Sequence, residues 1–166
     1  MGLMLPGWLT PLLNALGGIK WPEGDETKTF TNGQKWMEYC SQVEQCIGKI
    51  ESVVNNVLQN NQGPAMESFA RDFRAAQGVL DVVKKIAQAG NVLGGIMMVV
   101  GAVMIALKGV FIVNLVATMA QITAALAAAV PTFGASLSWI PIAKQICTML
   151  LQEALGMAVQ KVMAGD

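Results

Sequence analysis

Apolar residues recur along the first half of the chain with the spacing of an amphipathic helix. From Trp36 to Val57 they lie four, three, four, three, four and three residues apart, which is the 3.5-residue period of a helix that packs on another helix. Asp25 or Thr27 is placed to cap the start of this helix, and residues 60–64 stop it. The pattern predicts one long helix with these seam residues: Trp36, Cys40, Val43, Ile47, Ile50, Val54 and Val57.

A second seam begins directly after this break. Its residues alternate spacings of three and four, with charged residues between them on the outer face. Two facing seams joined by a tight turn predict an antiparallel helical hairpin over residues 25–90. The residues of the second seam are Met66, Phe69, Phe73, Ala76, Leu80, Val83, Ala87 and Gly90.

The remainder, residues 91–166, predicts further helices that are rich in Gly and Ala. Small residues such as Gly90, Gly94 and Gly101 would let another helix approach closely. We expect a break at Lys108 and Gly109, a helix over residues 110–130, a turn at 131–134 and a last helix over 141–163. No segment alternates as a strand does, so the chain is predicted to be all-α, a long hairpin extended into a bundle.

Residues 1–24 form a short apolar lead and a turn, which precede the hairpin (25–90) and the apolar half (91–166) of one structural unit. Leu9, Leu12, Leu13 and Leu16 have helical spacing, and the two glycines that follow end any such helix. The lead lacks a basic start, and Pro6 interrupts its apolar run, so we do not expect a general secretory signal.

Between residues 86 and 143 the chain carries one charge, Lys108, in 58 residues. Such a run has to be buried by other helices, by copies of the chain or by lipid. Asn114, Thr118 and Gln121 share one face of the expected helix, where they would line a wet path or bond to another helix. The alternative interpretation is therefore a membrane-inserting, oligomerising hairpin over residues 89–130.

The composition excludes most chemistry. The chain has no histidine and a net charge of zero, which exclude catalysis by a His-dependent triad and a general attraction to nucleic acid. Three cysteines are too few and wrongly spaced for a zinc site. We therefore expect no enzyme activity, no cofactor, no metal and no small-molecule substrate.

Several motifs resemble the CpnT-like N-terminal helical domain of actinobacterial polymorphic toxins, which is related to the WXG hairpin proteins of type VII secretion. The resemblance spans roughly residues 3–155, and Asn61 stands where the hairpin motif of that family has a tryptophan. The matching positions are Pro6–Gly7–Trp8, Gly17–Gly18, Trp21–Pro22, Gly24–Asp25–Glu26, Trp36, Gly63–Pro64–Ala65 and Phe69.

The resemblance implies a non-catalytic interaction and targeting module with a WXG-like hairpin. Such a module pairs with a small helical protein, or with itself, by burying an exposed apolar seam. It would be cytoplasmic before export and then secreted or associated with the cell envelope, with a membrane location still open. The expected partner-interface residues are Trp21, Trp36, Gly63, Phe69, Phe73, Gly90, Gly94 and Gly101.

Overall fold

The structure, a computed structural model, describes residues 2–75 and 78–164, and these contain helices and no strand. The five α-helices are α1 (Thr10–Ala15), α2 (Glu26–Asn60), α3 (Pro64–Phe73), α4 (Val79–Ala127) and α5 (Trp139–Ala164), with 3-10 turns at Gly7–Leu9 and Ala135–Ser138. The predicted all-α class is confirmed.

Capping residues set both ends of α2. The Lys28 amide donates to the Asp25 carboxylate at 3.0 Å, and the Asp25 carbonyl accepts from the Thr29 amide, so Asp25 is the N-cap. At the other end, the Asn61 side chain donates to the Val57 carbonyl at 2.8 Å. Gly63 has φ 124°, and α3 starts at once with Pro64. The predicted break over residues 60–64 is therefore confirmed.

The second arm of the predicted hairpin is not continuous. α3 ends at Phe73 and α4 begins at Val79, so the seam that starts at Met66 is interrupted. Gly78 caps the new helix, since its carbonyl accepts from the Val82 amide at 3.1 Å. Ala76, which the sequence places in the seam, lies outside the described residues.

The predicted break at Lys108 and Gly109 is wrong. α4 runs through both residues as one 49-residue helix, so the separate helix over residues 110–130 and the hairpin over 89–130 are also corrected. A helical glycine costs only about 1 kcal/mol relative to alanine, and Gly109 has open space around it. Lys108 is buried in an ion pair and does not lie at a turn.

Tertiary contacts divide the chain into two compact units. One unit contains residues 1–30 and 99–166, and the other contains residues 31–98. The long helices α2 and α4 contribute residues to both units.

The unit of residues 1–30 and 99–166 has the larger core, and the apolar lead supplies five of its nine buried residues. α1 ends at Ala15, and Gly17 and Gly18 follow with φ values of 63° and 79°, as the sequence predicts. Leucines of the lead pack on the buried faces of α4 and α5. The core residues are Leu9, Leu12, Leu13, Leu16, Ile19, Phe111, Leu115, Cys147 and Leu151.

The unit of residues 31–98 has a thin core made from the facing sides of α2 and α4. Cys40, Ile47 and Ala87 are its buried apolar side chains. Glu51 and Lys84 form an ion pair beside it, and the Asn91 amide donates to the Glu44 carboxylate at 3.1 Å. Small side chains therefore hold this pair of helices together, with polar bonds along one edge.

Candidate helix-binding interface

Two glycines bring α2 and α4 into backbone contact. A Cβ on Gly33 would lie 2.6 Å from the Gly94 carbonyl oxygen, and a Cβ on Gly94 would lie 2.8 Å from the Gly33 carbonyl oxygen. Both distances are far below van der Waals contact, so neither position accepts a larger residue without moving a helix. Gly90 is equally restricted, because a Cβ there would overlap the Cys40 sulfur.

Gly101 makes a comparable contact in the other unit, where a Cβ would lie 3.1 Å from the Glu26 carbonyl oxygen. Close approach of a helix at Gly90, Gly94 and Gly101 was expected from the sequence. The helix that approaches is the chain's own α2 and not a partner. These three glycines are buried inside the chain.

Trp36 is exposed on the surface of the unit of residues 31–98. Its ring meets the Tyr39 ring edge-on, with centroids 6.3 Å apart. Both side chains are exposed and line an open pocket of about 440 Å³ with Asn32, Lys35 and Met97. Exposed Trp and Tyr beside a methionine match the composition of protein interfaces.

Trp21 is half-buried and serves the fold of its own unit. Its ring packs edge-on against Phe111 at a centroid distance of 5.9 Å, and Lys108 Nζ lies 5.9 Å from the ring centroid. This position holds the turn before α2 against α4. Trp21 therefore contributes to the packing of its own unit.

The short helix α3 carries the remaining predicted interface residues. The rings of Phe69 and Phe73 lie 5.9 Å apart and tilted by 32°. None of the α3 residues is buried. Gly63 takes a backbone conformation that L side chains rarely adopt, so its role here is to start this helix.

A buried ion pair that the sequence reading missed joins Glu26 to Lys108. Lys108 Nζ donates to the Glu26 carboxylate at 2.6 Å and to the Gly24 carbonyl at 2.8 Å. The Leu3 amide also donates to Glu26. The sequence does contain an indication of this pair. Lys108 is the lone charge in an uncharged run, and a charge that is buried needs a partner of opposite sign.

This environment shifts the ionisation of Glu26. The hydrogen bond from Lys108 and the one from the Leu3 amide lower the pKa of Glu26 to about 2, against desolvation, which raises it. Glu26 is therefore ionised throughout the physiological pH range. The pair anchors the lead and the turn before α2 to the middle of α4.

The three polar residues of α4 do not act as a common stripe within the chain. The Asn114 amide donates to the Val110 carbonyl at 2.8 Å, and the Thr118 hydroxyl donates to the Asn114 carbonyl at 2.8 Å. Both side chains thus bond to their own helix and not to another one. Thr118 is buried, whereas Gln121 is exposed. A lumen-facing role for the three stays a prediction.

α4 and α5 leave an open apolar groove of about 510 Å³ between them. Four alanines contribute to its walls, and Lys161 is its one charged lining residue. Such a groove has the size and the polarity of a site that takes apolar side chains. Its lining residues are Val99, Ala102, Val103, Ala106, Leu107, Val110, Ala154, Met157, Ala158 and Lys161.

The described residues contain no group of three or more His, Cys, Asp or Glu side chains with the arrangement of a metal site. α4 is long and apolar enough, by length and composition, to cross a membrane. Its most apolar 18-residue window has a mean hydropathy of 2.5 and is 17% buried. One such helix is weak evidence for a membrane location, because core helices of soluble proteins pass the same test.

Comparison with known proteins identifies one family. Residues 6–150 match the family model described as WXG100 like domain. No curated protein and no solved structure matches the chain significantly. The matched range runs from the lead into the first half of α5, so it includes helices of both compact units.

Proposed function

The chain belongs to the WXG100-like domain family, and on that premise we propose that it is a non-catalytic interaction and targeting module of a type VII-secretion-like system. It pairs with a small helical protein, or with copies of itself, by burying exposed apolar side chains. The family match confirms the predicted relation to WXG-type hairpin proteins. The closer relation to CpnT-like toxin domains is part of this proposal.

The observation that carries the proposal is the apolar surface that the chain leaves open. Val53 on α2, Ile86 and Val113 on α4 and Val159 on α5 are each more than 60% exposed. Burying a valine or isoleucine side chain contributes about 1.5–3 kcal/mol, so a partner that covers such side chains is stabilised by each of them. A partner helix would cover what the internal packing does not.

The absence of histidine supports a non-catalytic role, since the common nucleophile–base pairs need it. The buried charges, Glu26 and Lys108, neutralise each other in an ion pair. Both are occupied in holding the fold. A binding role requires neither of them to react.

Export tests the proposal. The tagged chain is expressed in an actinobacterial host with a working type VII system and in a matched strain that lacks the secretion ATPase. We expect the chain in the medium or the envelope fraction of the first strain and in the cytoplasm of the second. Equal distribution in both strains would contradict a type VII role.

The length and hydropathy of α4 favour a second candidate function, insertion into a membrane. Since α4 is one continuous helix, such a protein would insert a single long segment and not a hairpin turned at Lys108. Under this hypothesis Asn114→Leu changes the conductance of a planar bilayer that contains the protein. No conductance from either protein would exclude a pore.

A further inference from the structure

α2 carries a second apolar stripe beside the one that packs on α4. Its seven residues follow spacings of three and four in strict alternation, which is the heptad pattern of a helix that receives another helix. All seven are apolar. If the same spacing is continued beyond either end of the stripe, it reaches the polar residues Asn32 and Asn60. The stripe consists of Trp36, Tyr39, Val43, Cys46, Ile50, Val53 and Val57.

Six of the seven stripe residues are exposed and Val43 is half-buried, whereas the neighbouring positions are filled. Gly33, Cys40 and Ile47, which are also seven residues apart, are buried against α4. Tyr39, Cys46 and Val53 occupy the other side of the stripe and are exposed; Val53 is 64% exposed. The apolar face of α2 is therefore wider than its contact with α4, and half of it has no cover within the described residues.

The aromatic end of the stripe is held in place before any partner arrives. A Cβ on Gly90 would lie 3.8 Å from the Trp36 ring, so α4 supports the indole from one side. Tyr39 packs edge-on against that ring, and Met97 of α4 completes the pocket that these residues line. A rigid aromatic anchor loses little conformational entropy on binding.

α4 extends the same apolar surface. Val79, Ile86 and Leu93 recur every seven residues, lie on one helix face and are exposed. This face also contains Met97, which meets Trp36 and Tyr39 in the pocket. The polar contacts of Lys84 and Asn91 with α2 lie on a different side of α4. Two helices thus form a groove for a third.

The charges that flank the stripe indicate what the third helix carries. In the heptad, Lys35, Gln42, Lys49 and Asn56 occupy the flank away from α4. Lys35 and Lys49 are exposed, and within residues 2–75 and 78–164 neither forms an ion pair. A helix in this groove meets two lysines and no acid on that flank.

We infer that the groove over residues 36–57 binds one amphipathic helix of a different protein, with acidic residues spaced to meet Lys35 and Lys49. This inference rests on the proposed function and names the partner's chemistry. A second copy fits poorly, because symmetric antiparallel pairing of the two stripes would place Asn56 opposite Lys35 and Gln42 opposite Lys49, so it would offer neither lysine an acid. The heptad spacing of the stripe indicates that the partner is a helix, and the two lysines on the flank indicate that this helix carries acidic residues.

Two synthetic peptides test the inference against the full chain. Both are 28 residues long with leucine at the a and d positions; one has glutamate at e and g, and the other has lysine. Binding is measured by fluorescence anisotropy of the labelled peptide. We expect the acidic peptide to bind about tenfold more tightly at low salt, because two exposed ion pairs replace two repulsions.

Two chain variants locate the site, and a third inverts its charge. V53D is expected to abolish binding of the acidic peptide, because it places a like charge in the stripe. S52D adds the same charge to the next residue, off the stripe, and is expected to keep the affinity. The double variant K35E/K49E is expected to reverse the preference between the two peptides. Circular dichroism confirms that each variant is folded.

Several outcomes overturn the inference. They are absence of binding by either peptide, equal binding of both, and binding that V53D leaves intact. Concentration-dependent dimerisation of the chain that V53D abolishes would assign the groove to a second copy. The two proposals can fail separately. If only the export role is wrong, the acidic peptide still binds more tightly than the basic one, and the chain is distributed equally in the strains with and without the secretion ATPase.

Discussion

Alanine substitutions at the adjacent residues Gly94 and Gly95 are expected to differ in their effect on stability, with only Gly95→Ala stabilising the fold. Both lie inside α4, where alanine is favoured over glycine by about 1 kcal/mol. Within residues 2–75 and 78–164, no atom other than those of its chain neighbours and its own helix backbone lies within 4 Å of a Cβ on Gly95. Gly95→Ala should therefore raise the free energy of unfolding by about 1 kcal/mol.

Gly94→Ala receives the same helical gain but meets α2. Its Cβ would lie 2.7 Å from Met37 Cγ and 2.8 Å from the Gly33 carbonyl oxygen, where about 3.5–4.0 Å is comfortable for carbon. The Gly33 oxygen is backbone and cannot rotate away, so the helices must separate. Overpacking of this kind costs about 1–3 kcal/mol. The helical gain cancels between the variants, and Gly94→Ala should be less stable than Gly95→Ala by that amount.

Urea unfolding and thermal unfolding, both followed by circular dichroism at 222 nm, measure this difference. For a chain of this size, about 1–3 kcal/mol corresponds to a Tm lower by about 2–12 °C in Gly94→Ala than in Gly95→Ala. Gly33→Ala places its Cβ 2.6 Å from the Gly94 carbonyl oxygen and should reproduce the loss from the other helix. Equal stability of the two α4 variants would refute the backbone contact between α2 and α4.

The remaining predictions concern the ion pair, the thiols and one turn. Because the pKa of Glu26 is lowered from 4.5 to about 2, its ionised form stabilises the fold above pH about 4.5, and this contribution is lost as the pH falls to about 2. The destabilisation caused by Glu26→Gln should therefore be complete at pH 7 and decrease between pH about 4.5 and about 2. Urea midpoints measured across this pH range test it. A thiol reagent should label Cys46 rapidly in the native chain and the two other cysteines only after unfolding, because these are buried; three fast thiols would contradict the packing. Phe133 is fully exposed at φ 50°, so Phe133→Asn should raise the free energy of unfolding by about 1 kcal/mol, and a loss in thermal unfolding would show unrecognised packing of its ring.

Local chemistry made the ends of the helices predictable from the sequence. Asp25, the glycines at 17 and 18 and the break before Pro64 each act through neighbouring residues, and all were confirmed. The break within the second arm was missed because the residue that caps the start of α4 is Gly78. Glycine has no polar side chain, which is the usual indication of an N-cap in a sequence.

Long-range partners could not be predicted in the same way. Lys108 was assigned to a turn, because a charge beside a glycine is typical of one. Its partner Glu26 lies 82 residues earlier in the chain, and only the folded structure brings the two together. The core role of the lead depends in the same way on its meeting with α4 and α5.

The proposed interface was only partly visible in the sequence. Trp36 was predicted and is exposed, but Tyr39, Cys46 and Val53 were left out because only one of two overlapping seams was read. Both have heptad spacing, and which one remains open depends on where α4 packs. Gly90, Gly94 and Gly101 were correctly associated with close helix packing. The sequence does not show whether the helix that packs on them belongs to the same chain or to a partner.

Carbonate extraction of cells that express the chain, followed by light scattering of the released species, tests the central claim most directly. The claim is that protein and not lipid covers the apolar surface of α4 and α5. We predict release into the soluble fraction without detergent, as a complex with a helical partner or as an oligomer of defined mass. Retention in the membrane pellet after the carbonate wash would contradict the claim and identify α4 as a membrane segment.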